Sequence, residues 1–545
     1  MKAWKRIFKS VTDFSSGGKG IQAPRPPAVF WAPAIIVGIL VMLPLVYLIF
    51  RAMGAGGEIW NLLFRTRTME IIGRTIILVI AVTGTSVLVS IPLAWLTTRT
   101  DLPFRKLWSV LTILPLVIPS YVAGFIMIAT LGPRGILQQL LEKPFGVERL
   151  PEIYGFPGAM LTIVFIGYPF VLLPIKAAMR GLDSSLEEVS RSLGHNSWST
   201  FYRVVLPQLR PSIAAGALIV ALYTLKDFGA VSLLRYETFT WAIYLQYQTS
   251  FDRASGAALS LVLVAIAAVI IFFEFRTRGR LQYHRATLGV CRPPVRYQLG
   301  LWRWPALGFC ALVVLFTVIM PIFVLGYWLI RGILAGETLP AVWSLVLNSG
   351  YASILATLII VIAALPVAIL AVRYPGRMSG LLERSTYIGF ALPGIVIALA
   401  LVFFGANYAT PIYQTLGLLI FAYLILFLPQ AIGAIRTSLL QVSPRIEEAA
   451  RSLGRKPFQV FTSVTFPLVR SGILAGAALV FLTVMKELPA TLILSPIGFK
   501  TLATAVWSAT SEAFFARAAL PALLLILLSS VTIVFLVIRE GRESI

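Results

Sequence analysis

Residues 447–454 read EEAARSLG, and residues 187–194 read EEVSRSLG. Nearly the same charged octapeptide thus stands twice in a chain of 545 residues that is 58% hydrophobic and only 12% charged. Neither copy is apolar enough to enter a bilayer, and neither carries a His, a Cys or a metal-ligating cluster. What the pair means depends on which side of a membrane its two copies face.

The membrane itself is read from length and composition. Soluble domains are about 25% charged, and the mean hydropathy of +0.88 lies far from that class. Apolar stretches of roughly 20 residues are long enough to span as helices. They fall near 31–51, 75–97, 107–130, 158–179, 212–235 and 256–275, and again near 304–330, 349–372, 385–405, 417–436, 472–495 and 518–538. The expected fold class is therefore an all-α polytopic membrane protein of about 12 transmembrane helices. The short alternating segments of a membrane β-barrel do not occur.

The net charge of +24 invites a nucleic-acid reading, but its distribution argues against one. Lys2, Lys5, Arg6, Lys9, Lys19 and Arg25 precede the first span. Arg276, Arg278, Arg280, Arg285, Arg292, Arg296 and Arg303 lie between spans six and seven, while the segment 405–416 has neither Lys nor Arg. This positive-inside bias places both termini and the central linker in the cytoplasm, and membrane lipid accounts for the basic surface. Cys291 and Cys310 make no disulfide framework, His195 and His284 are isolated, and GGKG at 17–20 lacks the spacing of a phosphate-binding loop.

The repeat extends well beyond the octapeptide. Over 187–230 against 447–490, 18 of 44 positions are identical, among them Pro207 with Pro467 and Lys226 with Lys486. Upstream the offset becomes 274, pairing Pro92 with Pro366, Arg99 with Arg373 and Pro119 with Pro393. The first copy has about 14 extra residues between its third and fourth spans. The chain divides into a flexible tail (1–30), a first six-span unit (31–275, loop 185–211), a basic linker (276–303) and a second unit (304–545, loop 443–471). Six is even, so the units enter the membrane in the same direction and both octapeptides face the cytoplasm.

Locally, Ser185 and Ser443 are candidate helix caps, with acids in the first turn. Gly194 and Gly454 end two short helices. Amphipathic turns should follow, with Trp198, Phe201 and Val204, or Phe458, Phe461 and Val464, on one side. Pro207 and Pro467 then start the next spans. A surface helix–turn–helix in the headgroup region is the plain reading of one copy, whereas two copies on one side fit a two-fold symmetric partner.

The pattern Glu, five residues, Gly, nine residues, then aliphatic-x-hydrophobic-Pro resembles the EAA loop of ABC importer permeases. Glu188, Gly194, Val204, Leu206 and Pro207 carry it in the first unit, and Glu448, Ala449, Ala450, Gly454, Val464 and Pro467 in the second, where Phe466 replaces the usual Leu. The flanking Glu187, Arg191, Glu447 and Arg451 belong to the same loops; Val189 and Ser190 depart from the two alanines. The resemblance implies a type I importer permease fold and loops that couple to two copies of a cytoplasmic ABC ATPase. ATP and Mg would be held there rather than by this chain, and a periplasmic or lipid-anchored binding protein would deliver cargo. The fused double unit, with KELPATLIL and GFKTLAT after the second loop, is similar to ferric-iron permeases. Thiamine, phosphonate, sulfate, molybdate and polyamine permeases are cousins. A 12-span secondary transporter has no need of paired docking loops, and a membrane enzyme would need a nucleophile–base pair or metal cluster that is not visible.

Lys226–Asp227 and Lys486–Glu487 sit roughly 22 Å into their spans at about 1.5 Å per residue. Ionisable groups at that depth face a cavity or one another, so Asp227 and Glu487 are candidates for an acidic pair on the path, the alternative being interhelical salt bridges. Tyr121 and Tyr168, with Tyr223 and Tyr423, offer hard phenol oxygens. The long segment 131–157 is a candidate dock for the external binding protein.

Overall fold

Proline placement and apolar run length decide where the helices stop. The computed structural model describes residues 27–53, 64–133, 135–182, 184–249, 253–278, 297–337 and 341–543. The tail with its basic residues and GGKG, and linker residues 279–296 with His284 and Cys291, lie outside the described residues. The first unit contains α1 (Ala28–Met53), α2 (Thr66–Arg99), α3 (Arg105–Leu111), α4 (Ser120–Leu131), α5 (Ile136–Phe145), α6 (Phe156–Gly181), α7 (Ser184–Ser192), α8 (Leu206–Lys226), α9 (Gly229–Leu233), α10 (Phe239–Thr249) and α11 (Arg253–Arg278). The second contains α12 (Arg303–Val314), α13 (Met320–Leu334), α14 (Val342–Arg373), α15 (Arg377–Ala391), α16 (Gly394–Tyr408), α17 (Leu416–Gln441), α18 (Pro444–Ser452), α19 (Phe466–Met485), α20 (Pro489–Leu494), α21 (Leu502–Ser511) and α22 (Phe515–Glu543).

Among the described residues ten helices are long and apolar enough to cross a membrane, and two shorter apolar helices, Gly394–Tyr408 and Phe515–Val531, complete the twelve. Many large apolar side chains on them are exposed, such as Ile80, Leu88, Ile354 and Leu358. That is the surface expected of a protein whose solvent is lipid.

Four expected spans are not continuous, the fifth breaking between α8 and α9 and the eleventh between α19 and α20. The third breaks between Leu111 and Ser120 because Pro115 and Pro119 remove backbone donors and disfavour α geometry in the residues before them. Pro393 breaks the ninth between α15 and α16 in the same way. The 14 extra residues of the first unit are not simply a loop, since they form α5.

The two units agree in side-chain detail. Lys176 Nζ meets Ser109 Oγ at 2.6 Å, and the equivalent Arg436 pairs with Glu383 at 3.2 Å. A wide π-helical turn precedes α8 at Phe201–Val205 and α19 at Phe461–Thr465. The first helices cross between units: α1 packs on α14 and α15, and α13 packs on α4. Each unit therefore completes the other, and residues of α8, α9, α19 and α20 share one common core.

Candidate functional site

The octapeptide helices are short because their ends are written into the sequence. In α7, Gly194 N–H donates to Arg191 O at 2.9 Å and His195 N–H to Ser190 O at 3.2 Å. In α18, Gly454 N–H donates to Arg451 O at 2.9 Å and Arg455 N–H to Ala450 O at 3.3 Å. Both glycines are left-handed, with φ of 85° and 82°, so each helix closes with the same Schellman motif. At the other end the expectation is corrected. Ser443 occupies the cap position ahead of Pro444 but makes no capping hydrogen bond, and Ser185 lies inside α7, which begins at Ser184.

Burial splits the two glutamates of each copy. Glu187 and Glu447 are buried, at 2% and 5% exposure, whereas Glu188 and Glu448 are exposed. Three residues on, Ser190 and Ala450 share the buried face. Ser190 is more than a replaced alanine, because its Oγ lies 3.0 Å from Thr200 Oγ1. The opposite face shows Leu186, Val189 and Leu193 in one loop and Ile446 and Leu453 in the other, all exposed. Phe458 is exposed as well, while Phe201 of the first loop is buried. Leu206 with Pro207, and Phe466 with Pro467, open the helices that lead inward.

The buried glutamates meet arginines at the ends of α2 and α14. Glu447 Oε1 lies 2.9 Å from the Arg373 guanidinium, which also donates from Nη2 to Val442 O at 3.1 Å. Thr465 Oγ1 adds a third contact at 3.1 Å. Glu187 Oε1 lies 3.1 Å from Arg99 Nη1, an ion pair without hydrogen-bond alignment among the described residues. Its other oxygen accepts from the Tyr297 hydroxyl at 2.9 Å. Burial, and then that carboxylate, hold the Tyr297 phenol above its ordinary range. Arg191 stacks 4.3 Å over the Tyr297 ring, and Arg451 donates to the Tyr374 hydroxyl at 3.3 Å.

At the other end of α8 and α19 the helices break. Asp227 Oδ2 accepts from Ala230 N–H at 3.0 Å and Val231 N–H at 3.3 Å, capping α9. Glu487 Oε1 accepts from Ala490 N–H at 3.2 Å beside α20. Lys486 Nζ crosses to the first unit and donates to Leu116 O at 2.9 Å, and Lys226 acts electrostatically on Glu487. The two Lys–acid dipeptides thus help to interlock the units. Tyr121, whose buried hydroxyl finds no hydrogen-bond partner among the described residues, lies among Glu487, Tyr423 and Tyr223. Tyr423 shares a 2.7 Å hydrogen bond with Thr491. At the break, Phe228 and Tyr244 of the first unit close against Trp507 of the second, and Trp241 packs on both.

Tyr168 lies apart from this cluster. Its hydroxyl is bound to Thr112 O at 2.8 Å, where it braces the broken third span. Among the described residues no three His, Cys, Asp or Glu side chains gather as a metal site.

The repeat, the loops and the interlocked spans can be set beside known proteins. Residues 90–277 and 362–542 each match the binding-protein-dependent transport system inner membrane component. The chain belongs to that family. The Fe(3+)-transport system permease protein FbpB 2 of Haemophilus influenzae is 38% identical over 94% of this chain and 98% of its own length. The molybdenum transport permease ModB of Escherichia coli is 30% identical over 37% of this chain and 91% of its own length, so a complete relative corresponds to one unit here. The chain is thus a fused, two-unit ABC importer permease, a multi-pass transport subunit like these relatives.

Sequence reading of the permease singled out both glutamates but attached the family pattern to Glu188 and Glu448. The anchors it missed are Arg99 and Arg373, visible in sequence only as a repeated pair at the ends of spans. Removing one member of a buried ion pair strands the other and costs about 3–5 kcal/mol. Glu447→Ala should therefore lower the thermal unfolding temperature of the detergent-purified permease markedly, while Glu448→Ala, an exposed change, should move stability by less than about 0.5 kcal/mol. Equal shifts would show that Glu447 anchors nothing.

Proposed function

We propose that this permease forms the translocation path of a ferric-iron importer driven by ATP hydrolysis on two copies of a cytoplasmic ABC ATPase. A periplasmic or lipid-anchored protein supplies the cargo, and both termini face the cytoplasm. The observation that carries the cargo assignment is near full-length similarity to a permease named for Fe(3+) transport. Paired loops with one buried and one exposed face support the coupling role. Uptake of radioactive ferric iron should vanish in a strain lacking this gene and return with it. Unchanged iron uptake together with lost thiamine uptake would reassign the cargo while leaving the machinery intact.

Motion of the ATPases would enter through the exposed faces of α7 and α18 and pass along the ion pairs to α2 and α14. A Cβ added at Gly194 or Gly454 would meet open space, so a side chain there strains only the left-handed backbone, by roughly 1–2 kcal/mol. Gly194→Leu with Gly454→Leu should leave membrane insertion intact but deform both docking helices, and the ATPase should no longer co-purify. Retention of the ATPase at wild-type stoichiometry would refute docking at these loops.

Asp227 and Glu487, with Tyr121, Tyr223 and Tyr423, are the oxygen donors offered to a hard trivalent cation in transit. Asn and Gln keep an acceptor oxygen for the capping N–H groups and remove only the charge. Asp227→Asn and Glu487→Gln should lower iron uptake severalfold with little change in unfolding temperature. Wild-type uptake in both would confine the two acids to helix capping.

A further inference from the structure

We propose that Tyr297, on the linker between the units, is a positioning residue of the first docking loop, supplying from outside the repeat the phenol that the second unit supplies from its own Tyr374. The inference rests on the coupling role proposed for the loops.

At the offset of 274, Arg99, Thr100 and Asp101 correspond to Arg373, Tyr374 and Pro375. In the second unit the arginine that anchors the loop is followed directly by Tyr374, which is buried and accepts from Arg451. The first unit has Thr100 there, whose Oγ1 turns back to Leu96 O at 2.7 Å. The phenol is therefore missing from the first unit's own repeat. The linker delivers it to the same place. Tyr297 bridges in parallel to Thr100, donating its N–H to Arg99 O at 2.8 Å and accepting from Asp101 N–H at 3.1 Å. Its ring lies under Arg191, the counterpart of Arg451, and 5.5 Å from Trp95.

A second feature of the first unit points the same way. Asp101 Oδ1 accepts from Leu299 N–H at 2.9 Å, and its Oδ2 accepts from Arg303 at 3.0 Å. These contacts, the backbone one foremost, hold its carboxyl below the usual range. Pro375 offers neither a carboxylate nor a backbone donor at the equivalent position. Residues 100–101 of the first unit thus receive the linker, whereas their counterparts in the second unit need none.

The two anchors differ accordingly. Glu447 has Arg373 with an aligned hydrogen bond, and Thr465. Glu187 has Arg99 without alignment, and Val205 stands where Thr465 would be. The Tyr297 hydroxyl supplies the directed hydrogen bond that Glu187 otherwise lacks among the described residues. Orientation of α7, and hence its fit to a partner, depends on a residue that neither repeat contains.

The test uses the full permease with its ATPase in proteoliposomes, reading ATPase retained per permease and ferric iron transported per ATP hydrolysed. Tyr297→Ala should lower retention or the transport ratio severalfold, and adding Thr100→Tyr should restore most of it. Tyr297→Phe, which keeps the ring between Arg191 and Trp95, should fall between. Gly454→Leu serves as the control for coupling itself. Wild-type values for Tyr297→Ala beside a defective Gly454→Leu would overturn the role of Tyr297 and leave coupling standing, whereas wild-type values for both would overturn the coupling reading. A Tyr297→Ala defect that Thr100→Tyr leaves unrepaired would also overturn the equivalence. Should Tyr297→Ala fail to accumulate, Tyr297→Phe decides: a lowered ratio supports the proposal, and a wild-type ratio overturns it.

Discussion

The structure depends on an ion pair between a loop glutamate and an arginine at the end of the second span of each unit. Two charges removed from water are costly, and a buried pair is poor evidence of stability for its own sake. Its value here is directional. A loop helix of nine residues is too short to be stable alone. Held at Glu187 or Glu447, it cannot rotate or slide without uncovering a charge. The exposed apolar side chains of the same loop are thereby presented at a fixed angle, so in the proposed coupling role a push on them would reach α2 or α14 as displacement rather than bending.

The second constraint lies at the far end of α8 and α19. A helix that stops inside a membrane exposes backbone donors that lipid cannot satisfy. Asp227 and Glu487 answer that need by capping the pieces that follow, and Lys486 satisfies a carbonyl left free where the third span breaks in the other unit. The breaks in spans three, five, nine and eleven are thus mutually dependent. One rigid helix of about twenty residues connects each loop to its break, so loop displacement and the geometry of the buried acids are mechanically linked.

Most of this architecture was legible in the residues. Twelve apolar runs, an even number per unit and one offset for the octapeptides set the fold and the shared side of the loops. Helix ends at Gly194 and Gly454 were legible because only glycine adopts the left-handed turn freely. Less legible was anything decided by three-dimensional neighbours. Adjacent glutamates look alike in sequence, and only the approach of α7 to Arg99 at the end of α2 distinguishes Glu187 from Glu188. Tyr168 resembles Tyr121 as an intramembrane phenol, yet it faces the carbonyl of a broken span. Tyr297 lies outside the repeat, so comparing one unit with the other passes over it.

Where the units agree and where they diverge follows from what each region meets. On the proposed coupling role two ATPases of one kind would demand two similar sockets, and the loops keep Glu, Arg, Ser, Leu and Gly in register. A single cargo near the shared axis imposes no such symmetry. Tyr121 and Tyr223 of the first unit correspond to Ile395 and Thr483, and Tyr423 of the second corresponds to Ile163. Tyr121 and Tyr423 nonetheless reach Glu487 from the two units, while Tyr223 lies by Asp227 and Tyr121. Fusion into one chain permits this division, because unequal halves are always delivered in a fixed ratio. It also places one linker beside one unit only, and the first docking loop has come to use it.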